Sequence, residues 1–513
     1  MIDKEINPIT RADFPDPDVI RVEDTYYMIS TTMHFMPGGV ILRSYDLVNW
    51  EIAAHIFDKL DDTPAERLEL EQSNYAGGMW AASLRYHNGT FYAAFVSHFA
   101  EKTYLFTAKN VTDTWEKSEI KGYYHDNSIL FDDDGRVFIV WGNREIKLLE
   151  LEPDLSGPKE GGISKTLLVD KSEGLGYEGS HFYKINGKYY LFLIHWPKGK
   201  RRTESCFVCD TVDGDYVGRD IFDDDRGYCN MGVAQGGIVD TPSGKWYAVL
   251  FQDSGAVGRI PVLVPLKWDK GFPVLGTSGK VPKHFEVASS RPYYRYEPLF
   301  TSDRFEYDVS KTSTPKLKEQ WEWNHQPDDS LWKILPEGGL SITTGKLCAN
   351  LSHAVNTLTQ RTMYPRCEAE VTIDASDINE GDVAGLCILQ GKYGYLGITR
   401  QTGGYFLIKV VREETGSSGI GVGGDYLPGK MVEVERLASP IVSLCLKASF
   451  ENMADKLDFF YQKDGKWVKA GDSHKLEFRL DHFTGARFGL FMYSTKKTGG
   501  SATFTKFDYR YND

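Results

Sequence analysis

Asn186-Gly187-Lys188-Tyr189-Tyr190, a glycine turn and an aromatic pair that run into the apolar Leu191-Phe192-Leu193-Ile194, is the fourth of five copies of one phrase. The others are Glu23-Asp24-Thr25-Tyr26-Tyr27, His87-Asn88-Gly89-Thr90-Phe91-Tyr92, Asp134-Gly135-Arg136-Val137-Phe138 and Ser243-Gly244-Lys245-Trp246-Tyr247. Turn residues followed by large apolar pairs read as hairpins. The last aromatics fall at 27, 92, 138, 190 and 247, so the spacings are 65, 46, 52 and 57 residues. That is the period of a four-stranded propeller blade. A second echo agrees: Trp50 follows Tyr27, and Trp115 follows Tyr92, each by 23 residues. The chain therefore reads as all-β: a five-bladed β-propeller over residues 1–300, then a β-sandwich over 301–513.

The second region carries alternating runs at Leu340–Leu351, Cys367–Ile373, Ala384–Gln390, Tyr405–Val411, Ile441–Phe450 and Ala502–Arg510, which suit one sandwich. Between the two, Pro282–Leu299 reads as a connector lying on the propeller surface, with no flexible-linker composition. The best helix candidate is a short one at Thr63–Leu70. At 513 residues the chain is too long for one core.

Net charge is −13, and the longest basic run, Lys198-Gly199-Lys200-Arg201-Arg202, is short, so no nucleic-acid partner is expected. No apolar stretch approaches the roughly 20 residues that span a membrane, and Met1-Ile2-Asp3-Lys4-Glu5 runs straight into fold-like sequence. A cytoplasmic protein without a membrane partner is the expectation. Aromatics make up 13% of residues, a composition suited to stacked strands or to sugar faces. The seven scattered cysteines, including the Cys206/Cys209 pair in strand-like sequence, read as free thiols. Gly419-Ile420-Gly421-Val422-Gly423-Gly424 matches a dinucleotide fingerprint, but no helical period follows it, and it reads as a loop. Asp132-Asp133-Asp134-Gly135 has adjacent rather than alternating acids and reads as a hairpin turn rather than a calcium loop.

In a propeller the functional positions open each blade's inner strand. Three of five supply a carboxylate: Asp16 lies 11 residues before Tyr27, Asp126 12 before Phe138, and Glu178 12 before Tyr190. These offsets are expected to place the three acids at equivalent points of their blades, facing one pocket. Trp80 and Gln235 lie 12 before their own aromatics. Hydrolysis of a glycosidic bond needs one carboxyl that donates a proton and another that stays ionised, and a neighbouring charge can separate the two. His34, His125, His181 and His195 also fall near this pocket, without the close pairing on one strand that a zinc site would show.

The residues resemble glycoside hydrolase family 43, in the β-xylosidase and α-L-arabinofuranosidase branch with a C-terminal β-sandwich. Phe14-Pro15-Asp16-Pro17-Asp18 is similar to the family's opening motif, Asp126 stands at its pKa-modulating acid and Glu178-Gly179-Ser180-His181 at its general acid. The resemblance implies Asp16 as general base, Glu178 as general acid and Asp126 as modulator. It also implies sugar contacts from Trp80 and Arg259, and an entrance loop, Thr32–Gly38, that brings in His34 and Phe35. The implied activity is exo-acting and inverting, with release of terminal β-D-xylose or α-L-arabinofuranose from small oligosaccharides. A lectin-like propeller or a glycoside phosphorylase is the alternative. No cofactor is implied, and no metal ligand is assigned. Where the family often has a histidine on the fifth blade's axis beside calcium, this chain has Gln235, which leaves an axial ion doubtful and Gln235 available to water or sugar. A homo-oligomer stays open, and the sandwich is expected to complete the pocket wall.

Overall fold

The computed structural model describes residues 5–413, 427–479 and 483–511; the Gly419–Gly424 loop lies outside them. Five four-stranded antiparallel sheets follow one another in strict sequence order over Asp18–Phe57, Ser83–Ile120, Ser128–Val169, Gly174–Phe222 and Val233–Leu275. Each repeated phrase is the hairpin between a blade's first and second strands: residues 23–24, 88–89, 132–136, 186–187 and 241–245 lie at those turns. The first strands of the five blades touch one another in a closed ring, which makes them the inner wall. Blade one meets blade five without an exchanged strand. The closure rests on Arg21 Nη2 to Asp240 Oδ2 at 2.6 Å, Gly237 N to Pro17 O at 3.0 Å, and a reciprocal pair between the Asn7 amide and the backbone of Leu263.

Residues 282–299 lie against blade one as the connector reading expects: Arg291 pairs with Asp24, and Tyr294 donates to Glu51. The sandwich consists of two packed sheets sharing one core that includes Trp321, Leu358, Val371, Leu386, Leu444, Phe488 and Phe504. Its first sheet borrows a strand from the propeller. Phe35–Met36 pairs with Glu322–Asn324 at the sheet's edge. That pairing covers an edge that would otherwise expose unpaired backbone groups, and it welds the two halves together.

Two local expectations are corrected. Thr63–Leu70 is one capped turn and not a helix. Thr63 Oγ1 accepts from Glu66 N while Glu66 Oε2 accepts from Thr63 N, a closed capping box, but Leu68 has φ 55° and stops propagation at once. Leu340–Leu351 is a strand only over Leu340–Thr343. The seven cysteines are unpaired, and Cys206 and Cys209 lie on the strand Thr203–Cys209.

Candidate active site

Strand register identifies which residues are truly equivalent among the blades. Asp18, Ser83, Ser128, His181 and Gly237 pair with Ile29, Ala94, Val140, Phe192 and Val249, each partner being two residues past its phrase's last aromatic. Two residues earlier on the inner strands stand Asp16, Ala81, Asp126, Gly179 and Gln235. Asp16 and Asp126 are therefore equivalent, but Glu178 is one step out of phase, because the paired residues across the hairpin are 12 apart in sequence in blades three and five and 11 apart in the others. The equal offset of 12 for Asp126 and Glu178 comes from that difference.

The backbone marks these positions. Asp16, Asp126 and Gln235 have φ of 52°, 49° and 64°, and Gly179 has 66°. A left-handed step costs a residue with a side chain about 1–3 kcal/mol and is kept where the surroundings impose it. Glycine serves at 179 for a further reason: a Cβ there would sit 2.8 Å from the Gln235 side chain.

The six residues Asp16, Trp80, Asp126, Glu178, Gln235 and Arg259 line one cavity of about 190 Å3. Asp16 is clamped at both oxygens: Arg259 Nη1 donates to Oδ1 at 2.7 Å, and Thr31 Oγ1 to Oδ2 at 2.8 Å. Asp126 Oδ2 accepts from Gly179 N at 3.0 Å. Asn143 Nδ2 donates to Glu178 Oε2. Between the last two acids stands His125, its Nε2 3.7 Å from both Asp126 Oδ2 and Glu178 Oε2. Trp80 is fixed by Nε1 donating to Ala76 O at 2.7 Å; His98 stacks on it at 4.6 Å and Phe483 leans on it at 5.0 Å.

Burial dominates the electrostatics. It lifts Asp16 above the ordinary aspartate range, with the Arg259 guanidinium opposing and the Asp126 charge adding. Asp126 is likewise raised by burial, with His125 opposing and Glu178 adding. His125 moves the other way to what burial alone would do. The Asp126 charge and the contact with Glu178 outweigh desolvation and push it up to about 9. Asp126 and His125, each moved by the other's charge, are thus linked in their titration.

His34 and Phe35 do not line the cavity. His34 is fully buried behind it, with Nε2 donating to Asn324 Oδ1 at 3.0 Å and Nδ1 accepting from Ala76 N at 3.0 Å. Phe35 is packed in the sandwich core under the Arg487 guanidinium. Both were drawn away because the entrance loop forms the shared edge strand. His34 still reaches the site indirectly, since Ala76 carries the carbonyl that fixes Trp80. His195 pairs with Asp220 at 3.0 Å, away from the cavity.

Met33, Asn143, Leu175, Arg202 and Phe483 line the cavity without a signal in the repeat. Phe483 comes from the sandwich. Its carbonyl accepts from Arg259 Nη2 at 3.4 Å, and Asp13 ties the neighbouring backbone down by accepting from Arg259 N at 2.7 Å and Gly485 N at 2.8 Å. Phe483→Ala should therefore raise KM roughly tenfold with a smaller effect on kcat, as removal of an aromatic wall weakens ground-state and transition-state contacts alike. Steady-state kinetics check this; an unchanged KM would mean that the wall is idle.

The axis beneath the cavity does not fit a calcium ion. Asp18 Oδ2 accepts from Arg85 Nη1 at 2.7 Å and from Leu84 N at 2.7 Å, and Oδ1 faces His181 Nδ1 at 3.2 Å. Asp18 already has an arginine, which a dication would have to displace.

A family model described as glycosyl hydrolases family 43 matches residues 6–273, and one described as beta xylosidase C-terminal Concanavalin A-like domain matches 312–510. A beta-xylosidase of Formosa agariphila is 27% identical, with 99% of this chain and 90% of that protein covered. The non-reducing end alpha-L-arabinofuranosidase BoGH43B of Bacteroides ovatus is 27% identical over 65% of this chain and 63% of its own length. Among solved structures, a bifunctional GH43-CE protein of Bacteroides eggerthii superposes with a TM-score of 0.89 at 40% identity; all of this chain is covered, but it spans only 64% of that protein. A GH43 enzyme engineered for both endo-xylanase and exo-arabinofuranosidase activity gives 0.85 at 28% identity, with 99% of each chain covered.

Proposed function

The chain belongs to glycosyl hydrolase family 43, and from that premise we propose that it is an inverting exo-glycosidase that removes terminal β-D-xylose or α-L-arabinofuranose from small xylan-derived oligosaccharides. The observation that carries the reading is the convergence of Asp16, Asp126 and Glu178 on one cavity beside Trp80. A volume of about 190 Å3 is below the ~300–1,000 Å3 of clefts that take drug-sized ligands, which suits one sugar ring and a chain end. Relatives named for xylosidase and for arabinofuranosidase activity support the pentose class. A lectin would not need the clamped and the unclamped acid together. A phosphorylase would need a cationic cradle, whereas Arg202 and Arg259 are already paired with Asp253 and Asp16.

Glu178 gives its proton to the glycosidic oxygen as the bond to the anomeric carbon breaks. Asp16, oriented by Arg259 and Thr31, takes a proton from the water that attacks the opposite face. Asp126 acts through charge. Trp80 offers the part of its ring that lines the cavity to the sugar, and Gln235 and Arg259 offer donors to hydroxyls.

Asp126→Asn should move the alkaline limb of the kcat/KM profile to lower pH. The sign follows from the loss of a negative charge that holds protons on its neighbours, including the His125 imidazolium, for which Asp126 is the largest raising influence. A full pH profile of both proteins tests this; an unmoved limb at normal activity would leave Asp126 a strand-start residue only. Turnover of nitrophenyl β-xyloside beside nitrophenyl α-arabinofuranoside tests the activity itself, and failure on both would overturn the reading.

A further inference from the structure

Gln235 does not sit in a regular strand. The pairing of Val233–Asp240 with Trp246–Asp253 slips between Ala234 and Gly236, so Gln235 is the extra residue of a β-bulge, with φ 64°. Its side chain lines the cavity and lies across Gly179, where a Cβ would fall 2.8 Å from Gln235 Cγ. Gly179 N in turn donates to Asp126 Oδ2. Glycine at 236 lets the two strands close again at once, since a Cβ there would fall 1.8 Å from Val249 O.

A bulged residue leaves the ladder, and its buried N–H needs another acceptor. That acceptor comes from the neighbouring blade. Glu204 Oε2 accepts from Gln235 N at 2.7 Å. Glu204 lies on Thr203–Cys209 in register with Ile194, which also pairs with Glu178. The carboxyl that reaches Gln235 therefore starts from the same cross-strand row as the acid.

Packing does not account for an acid at 204. The residue is fully buried, and its Oε1 has no hydrogen-bond partner in the protein. Burial pushes the carboxyl well above the usual range and favours its neutral form, with only the Gln235 amide opposing. An apolar residue of that size would pack at least as well. What the carboxyl contributes is its contact with the bulge.

We propose that Glu204 is a positioning residue that holds the Gln235 bulge and so sets the contact between Gln235 and the sugar hydroxyls. The inference rests on the glycosidase reading above and adds to substrate recognition a residue that lies outside the cavity.

Glu204→Gln keeps an oxygen acceptor in the same volume, and Glu204→Met keeps the volume without the acceptor. Each is assayed on a nitrophenyl pentoside after its melting temperature has shown it folded. We expect Glu204→Gln to stay within about twofold of native kcat/KM and Glu204→Met to lose about tenfold. Gln235→Ala should lose about as much, and adding Glu204→Met to it should cost no more than about twofold further, because the side chain that the bulge presents is already gone. Multiplying losses in the double variant, equal losses in the Gln and Met variants, or an undiminished Glu204→Met would each overturn the proposal. If the Met variant unfolds, Glu204→Val takes its place, and unfolding of both beside an active Glu204→Gln would make 204 a folding residue only. If the unaltered protein cleaves no glycoside, the glycosidase reading fails separately, and amide hydrogen exchange decides the bulge. Faster exchange at the Gln235 amide in Glu204→Met than in the native protein supports it, and equal exchange refutes it.

Discussion

Asp16→Asn is expected to slow turnover by about 10^3-fold, within the 10^2–10^4 that a positioned general base contributes, and to do so on every substrate. Activation of water is needed whatever the leaving group is. The amide keeps the volume, and Thr31 can still donate to its oxygen, so the loss reads the missing charge rather than a collapsed loop. Because burial raises the proton affinity of Asp16, the acidic limb of the native kcat/KM profile should lie above the ordinary aspartate value. Activity is lost as pH falls through that raised value, since the base must be ionised to work. Stopped or continuous assays on activated and natural substrates check both statements. A variant retaining a tenth or more of native activity would remove Asp16 from the chemistry.

Glu178→Gln should differ in kind. A proton is needed only when the departing oxygen is a poor leaving group, so the loss should again be about 10^3-fold on oligosaccharides but far smaller on dinitrophenyl glycosides. The Asn143 contact would be retained through a rotated amide. Equal losses on both substrate types would show that Glu178 is not the acid.

The repeat was legible because each blade spends its turn chemistry at the same hairpin: Asn88-Gly89, Asn186-Gly187 and Ser243-Gly244 can hardly be anything but turns, and the aromatics after them are obligatory core. Phase was harder to read. Hairpins of two and five residues look alike in a spacing count, so Glu178 was set level with Asp126, while strand register puts Gly179 there. His34 and Phe35 stand at the entrance only as the family resemblance implies. Their actual place depends on Trp323 and Asn324, nearly 290 residues later, pairing with Met36 and Phe35. Phe483 had no signal at all. One aromatic in a sandwich full of them becomes a pocket wall through Arg259, which binds its carbonyl, and Asp13, which binds the amide two residues on.

That weld also argues against an autonomous propeller. Glu322 is buried among Arg361, Arg487 and His55, and Arg361 Nε donates to Asp13 O at 2.8 Å, three residues from Asp16. Cutting the chain after residue 300 would leave Phe14, Asp13 and the loop holding Asp16 without their packing partners. Residues 1–300 alone are expected to be poorly soluble and inactive, and a soluble, fully active fragment would refute the wall assignment.

The central claim, that opposed carboxyls on the propeller axis cleave a terminal pentoside by single displacement, is most directly tested by proton NMR of the first sugar released. Cleavage of a β-xyloside should give α-xylose before mutarotation, and cleavage of an α-arabinofuranoside should give the β-anomer. A retained anomer in the earliest spectra would contradict it.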